Sequence, residues 1–204
     1  MTVVESTGSG NWSGGGIWSG GVTRAGDAHD VVIKDGHDVT ISQDESANSV
    51  TILSGGTLTI SGATRKITID SESDGTGDTL NGYAVSLQGD IVESGGGKLR
   101  LDIETPAATN VDLVPNSGTV HDLVINHASA VVNLRSAHTT LSGNLTITAG
   151  TLDTYNSGSN INLTVAGRTD IGPASGSADQ ATLTCNSSDI SLGSGRTSSF
   201  ALVV

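Results

Sequence analysis

Aromatic residues are almost missing from this chain: two tryptophans, two tyrosines and one phenylalanine in 204 residues. Past Trp18 only Tyr83, Tyr155 and Phe200 remain, which weighs against a sugar-cleaving groove lined with aromatic platforms. Cysteine occurs once, at Cys185, so no internal disulfide framework exists. Basic residues are scarce too, with 9 Lys and Arg against 21 Asp and Glu and a formal net charge of −12. The cations form no basic stripe, so contact with nucleic-acid phosphates or anionic lipid is disfavoured. No apolar run approaches the roughly 18 residues of a membrane span, and membrane insertion is not expected. The start, Met1 followed by TVVESTGSG, lacks the basic and apolar regions of a signal peptide, so ordinary secretion is not expected.

What is abundant is glycine, 28 residues, together with serine, threonine and short triplets of Val, Ile and Leu that recur from end to end. These residues favour strands, and no window shows the 3.6-residue apolar period of a helix. The triplets are spaced regularly. Ile33 leads to Ile52 and Ile41 to Ile60 by about 19 residues, so two strand series interleave with one period. Later, Leu145, Leu163 and Leu183 keep a similar step, interleaved with Leu152, Ile171 and Ile190. In the middle Leu80 to Leu99, Leu101 to Val120 and Leu113 to Val132 fit the same spacing, with insertions. Within the triplets Thr, Asn or Asp alternates with an aliphatic, which puts one side of each strand in the core and the other in water.

The expected architecture is therefore all-β, a single-domain parallel β-helix or solenoid with coils of about 19 residues. Ser-Gly-Gly at 54–56, Ser-Gly-Gly-Gly at 94–97 and Ala-Gly at 149–150 would serve its turns. A β-sandwich or jelly roll is the alternative, since its short strands also recur every 8 to 12 residues.

The dipeptide His-Asp occurs at residues 29–30, 37–38 and 121–122, each time entering an apolar run. A metal-dependent phosphohydrolase would need further His and Asp ligands on helices, so the pairs read as turn signatures. There Asp accepts hydrogen bonds from nearby amides and His lies against the adjacent coil. The acidic run DSESDGTGD, residues 70–78, fits neither an EF-hand loop, which would need a Glu where Asn81 stands, nor tandem calcium-binding nonapeptides. It reads as a solvated loop. No nucleophile elbow, phosphate loop, dinucleotide fingerprint or Cys/His cluster occurs, and Cys185 sits on an alternating strand as a small buried hydrophobe. Catalytic, cofactor-binding and metal-binding residues are accordingly expected to be none, and no cofactor is expected.

Residues 10–33, GNWSGGGIWSGGVTRAGDAHDVVI, hold both tryptophans among glycines and serines. The end coil of a solenoid needs covering, and Trp12 and Trp18 are suited to cover it. The division expected is an N-terminal arm and cap over residues 1–28 and a β-solenoid over 29–204. The order Asn11-Trp12, Trp18, Gly20-Gly21-Val22, Ala25-Gly26-Asp27, Val31-Val32-Ile33 and Gly36 through Ile41 resembles the start of parallel β-helix proteins of bacteriophage virions and bacterial surfaces. Thr23-Arg24 stands where that pattern usually has a proline. The resemblance implies a non-enzymatic virion structural protein, a capsid decoration, turret or fibre component. Its partners would be capsid or other virion proteins, its own copies would form a homo-oligomer, a trimer, and its location would be the virion. A bacterial surface adhesin and a glycan-binding or glycan-cleaving tailspike-like protein are the alternatives. The terminal FALVV run would be covered by a partner, a neighbouring subunit or further chain.

Overall fold

The computed structural model describes residues 2–70, 82–106, 108–136, 138–156, 158–172, 180–193 and 201–203. Apart from a 3₁₀ turn at Ser19–Gly21, the described regular elements are β-strands. All described strand pairings are parallel except one, the small hairpin of Tyr155–Asn156 with Ser159–Asn160. The chain is therefore all-β with mostly parallel strands, as its composition of β-branched residues and glycine turns requires.

The strands form three ladders, which the chain visits in rotation. The first contains Thr2–Glu5, His29–Ile33, Ser49–Ile52, Tyr83–Leu87, Ala108–Asp112, residues 131–134 and 150–153, Ala181–Thr184 and Ala201–Val203. The second contains Gly10–Asn11, Asp38–Ile41, Thr57–Ser61 and Asp90–Ser94. After a break it resumes with His138–Leu141, Asn162–Val165 and Ile190–Leu192. The third contains Glu45–Ala47, Thr64–Ile69, Lys98–Ile103, residues 122–125 and 145–147, and Thr169–Ile171. Two long strands, Asp122–Leu134 and Leu145–Asp153, each turn a corner and serve the third and first ladders in succession.

In-register pairing stacks like on like. Ile69, Ile103, Ile125, Ile147 and Ile171 occupy successive rungs of the third ladder, and Val4, Val31, Val50, Val85, Val111 and Leu134 those of the first. These side chains are buried and form one continuous core. Each fully buried aliphatic contributes about 1.5–3 kcal/mol, so the columns are the main source of stability.

The two-series, 19-residue scheme needs correction. Ile33 does pair with Ile52 and Ile41 with Ile60. A third strand enters every turn, however, and steps along the first ladder range from 19 residues (Val31 to Val50) to 35 (Val50 to Val85). Leu145, Leu163 and Leu183 lie on three different ladders, as do Leu152, Ile171 and Ile190. Leu101 pairs with Leu123 rather than aligning with Val120, and Val132 pairs with Thr109 and Leu152 rather than with Leu113. Equal spacing in sequence marked every second strand of the rotation in some places and successive rungs of one ladder in others.

The N-terminal segment belongs to the same ladders. Thr2–Glu5 pairs with His29–Ile33, and the Trp12 amide donates to Thr40 O. Next to them the chain doubles back: Ser6 bridges Trp18 in antiparallel sense, the Thr7 amide donates to Ile17 O, and the Glu5 amide donates to Ser19 Oγ. Those bonds occupy amides that a terminal strand would otherwise offer to another chain. Both indoles are buried, their rings edge to face at 5.3 Å. Trp12 Nε1 donates to Ala25 O and Trp18 Nε1 to Trp12 O, so neither buried N–H is left unpaired.

Candidate functional site

The three His-Asp pairs are kept apart by the rotation of the chain. His29 begins a first-ladder strand, His37 precedes a second-ladder strand and His121 a third-ladder strand. Each is engaged locally. The Gly26 amide donates to His29 Nδ1, Ser6 Oγ lies 2.7 Å from His37 Nδ1, and Ser142 Oγ lies 3.1 Å from His121 Nδ1. The aspartates reach to the next rung: Asp30 Oδ1 accepts from Asn48 Nδ2 and Ser49 Oγ, Asp38 Oδ1 from Thr59 Oγ1, and Asp122 Oδ1 from the Asn144 amide at 2.6 Å. Among the described residues no three His, Cys, Asp or Glu side chains converge as metal ligands.

The backbone capping by Asp122 recurs. Asp44 Oδ1 accepts the Lys66 amide, Asn144 Oδ1 the Arg168 amide and Asn162 Oδ1 the Asp189 amide. In each case an Asx side chain at a strand entrance satisfies an N–H one rung further on, where the ladder has not yet begun to pair. The acidic run at 70–78 lies outside the described residues except for Asp70. Cys185 is buried, and burial pushes its thiol up, away from the reactive thiolate.

Charge that faces solvent gathers on the third ladder. Alternation in ATRKITID and GKLRLDI turns Thr64 and Lys66, and Lys98, Arg100 and Asp102, to its outer side. Register then sets Lys66 beside Arg100 and Arg100 beside Asp122 on adjoining rungs, with Asp44 on the rung before Lys66. Arg100 holds Asp102 through two bonds, Nε to Oδ1 at 2.6 Å and Nη2 to Oδ2 at 2.8 Å, and Asp102 keeps the guanidinium more firmly protonated. Asp44, Thr64, Lys66 and Arg100 line an open depression of about 360 Å³. Arg24 Nη2 donates to the Asp44 carbonyl oxygen and pairs with the buried Glu45 at 2.8 Å. Sequence reading passed over this group. The alternating Lys-x-Arg-x-Asp of residues 98–102 was visible, but not the register that sets it beside Lys66.

A second, smaller depression of about 210 Å³ marks the break in the second ladder. There Leu113, Val114 and Pro115 replace a regular strand, and the isolated bridges of Asp90 with Ser117 and Val120 with Leu141 connect the two halves. Pro115 has no N–H to give a ladder, which accounts for a break at this point.

No protein-family model matches the chain, and no curated protein or solved structure does either.

Proposed function

We propose that this chain is a parallel β-solenoid that serves as a non-enzymatic structural component of a bacteriophage particle, a decoration, turret or fibre protein bound to a protein lattice. The observation that carries the reading is the rotation of the chain through three parallel ladders whose aliphatic columns stay in register. Each turn adds a rung of about 4.8 Å, so the roughly nine rungs of the first ladder give a rod on the order of 40 Å tall. Among the described residues no pairing closes a ladder on itself. Thr2–Glu5 pairs with His29–Ile33 and, among the described residues, with no late strand, which supports the rod reading.

The N-terminal sequence pattern supports the particle reading, as do the outward Thr, Asn, Ser and Asp of the rungs. A stiff, acidic, polar rod suits a spacer or ornament that meets other proteins through loops and charge. Residues 1–28 act in this reading as an arm that adds the first rungs and, through Trp12 and Trp18, caps the solenoid over 29–204, and the copies associate as a trimer. Mass spectrometry of purified phage particles tests it. The chain is expected there in a fixed copy number, and its absence from particles combined with its detection on bacterial surfaces would replace this reading with that of an adhesin.

A further inference from the structure

We infer that the depression on the third ladder binds a carboxylated sugar, a hexuronate residue of a glycan. This inference is independent of the particle assignment, because it rests only on the side chains gathered at Asp44, Thr64, Lys66 and Arg100.

In a molecule of net charge −12, Lys66 and Arg100 stand on neighbouring rungs with their Cα atoms about 4.8 Å apart. Among the described residues no hydrogen bond or ion pair engages the Lys66 ammonium. Arg100 spends Nε and one Nη2 bond on Asp102, which leaves the far edge of its guanidinium to face the depression. Two donors so placed fit the two oxygens of one carboxylate. Asp44 is exposed, and its Oδ1 accepts only the Lys66 amide, which leaves acceptor capacity toward the same space. The Thr64 hydroxyl is exposed two residues from Lys66 on the same side of the strand.

The acids decide the ligand class. A phosphate monoester, with nearly two charges near pH 7, would be repelled more strongly than a carboxylate by Asp44, Asp102 and Asp122, which surround the two cations. A ring that carries a single carboxylate and several hydroxyls satisfies both kinds of group, the carboxylate on Lys66 and Arg100 and the hydroxyl protons on Asp44 and Thr64. The depression's volume falls in the range of small-molecule sites and accommodates one sugar ring with part of its neighbour.

An amide-resolved NMR titration of the full chain tests this. The probe is a hexuronate-terminated trisaccharide, compared with the neutral hexose analogue and with inorganic sulfate. Saturable shifts are expected at residues 44, 64–66 and 98–102, at least tenfold weaker for the neutral sugar and for sulfate. Lys66→Ala, a change at a partly exposed position that leaves the core columns intact, should weaken binding at least tenfold, and Asp44→Asn should weaken it to a smaller degree. Lack of saturable shifts, shifts confined to another face, or Lys66→Ala binding that equals wild type while its spectrum stays dispersed would overturn the site. Sulfate binding as tight as the uronate would overturn the sugar assignment.

Discussion

Glu45 begins the inward column that continues through Ile67, Leu101, Leu123 and Leu145, so a carboxylate occupies the place of an aliphatic. Its side chain is fully buried, and Arg24, itself half-exposed, reaches in to bind Oε2, while Oε1 has no hydrogen-bond partner. Burial pushes the Glu45 carboxyl above its ordinary value; the hydrogen bond and charge of Arg24 oppose the rise and Asp44 adds to it. The folded chain therefore holds this proton more tightly than the unfolded chain does. The resulting stability is fully present below the unfolded value near 4.5 and is lost as pH rises through the higher folded value. Glu45→Gln removes the titration. Paired urea melts of the two proteins should show wild type gaining on Glu45→Gln as pH falls from neutral toward 4.5, and a difference that stays constant with pH would contradict this reading. Nothing in the sequence marked Glu45 as inward, because ESA carries no Val, Ile or Leu and its one small apolar residue, Ala47, sets the phase too weakly.

At the scale of the element, legibility followed the strength of the local pattern. DVVI and DVTI pair with VTIL and TLTI as their spacing implies, since short turns separate these strands and the intervening third-ladder strand, Glu45–Ala47, is only three residues long. The third ladder escaped notice because its first strand is only Glu45–Ala47, and because two later members are halves of the long strands Asp122–Leu134 and Leu145–Asp153. A strand that bends through a corner keeps its alternation on both sides and so reads as one element. For the candidate site the residue types were legible but the neighbours were not, since Lys66 meets Arg100 across a connection whose length no periodicity predicts. The corner inside Leu145–Asp153 is made by Gly150, with φ of +89°. A Cβ there would lie 2.5 Å from His127 O and 2.8 Å from Ala130 O. Gly150→Val is expected to destabilise the chain by on the order of 1–3 kcal/mol from backbone strain alone, with the clash adding to it. Gly8→Ala, where nothing lies within 4 Å, should change stability by less than about 0.5 kcal/mol. Equal urea midpoints for the two variants would refute the corner assignment.

For the whole molecule, the proposed solenoid makes height a linear function of rung number. Outward positions on the first ladder supply the ruler. Glu5, Val32, Thr51, Ser86 and Asp112 pair in succession over four steps, and Asn110, Asn133, Asp153 and Thr184 over three more. In the proposed reading, acidic charge spread along the rod keeps copies apart and leaves loops free to meet a lattice. The stacked arrangement on which both the particle role and the uronate site depend can be measured by pulsed electron–electron resonance. Spin labels would be placed at Glu5 with Asp112 and at Glu5 with Thr184, in a Cys185→Ser background. At about 4.8 Å per rung the backbone separations are about 19 Å for the first pair and about 34 Å for the second, with linker length added to both. A Glu5–Thr184 distance equal to or shorter than the Glu5–Asp112 distance, as a sheet closed on itself would give, would contradict the account.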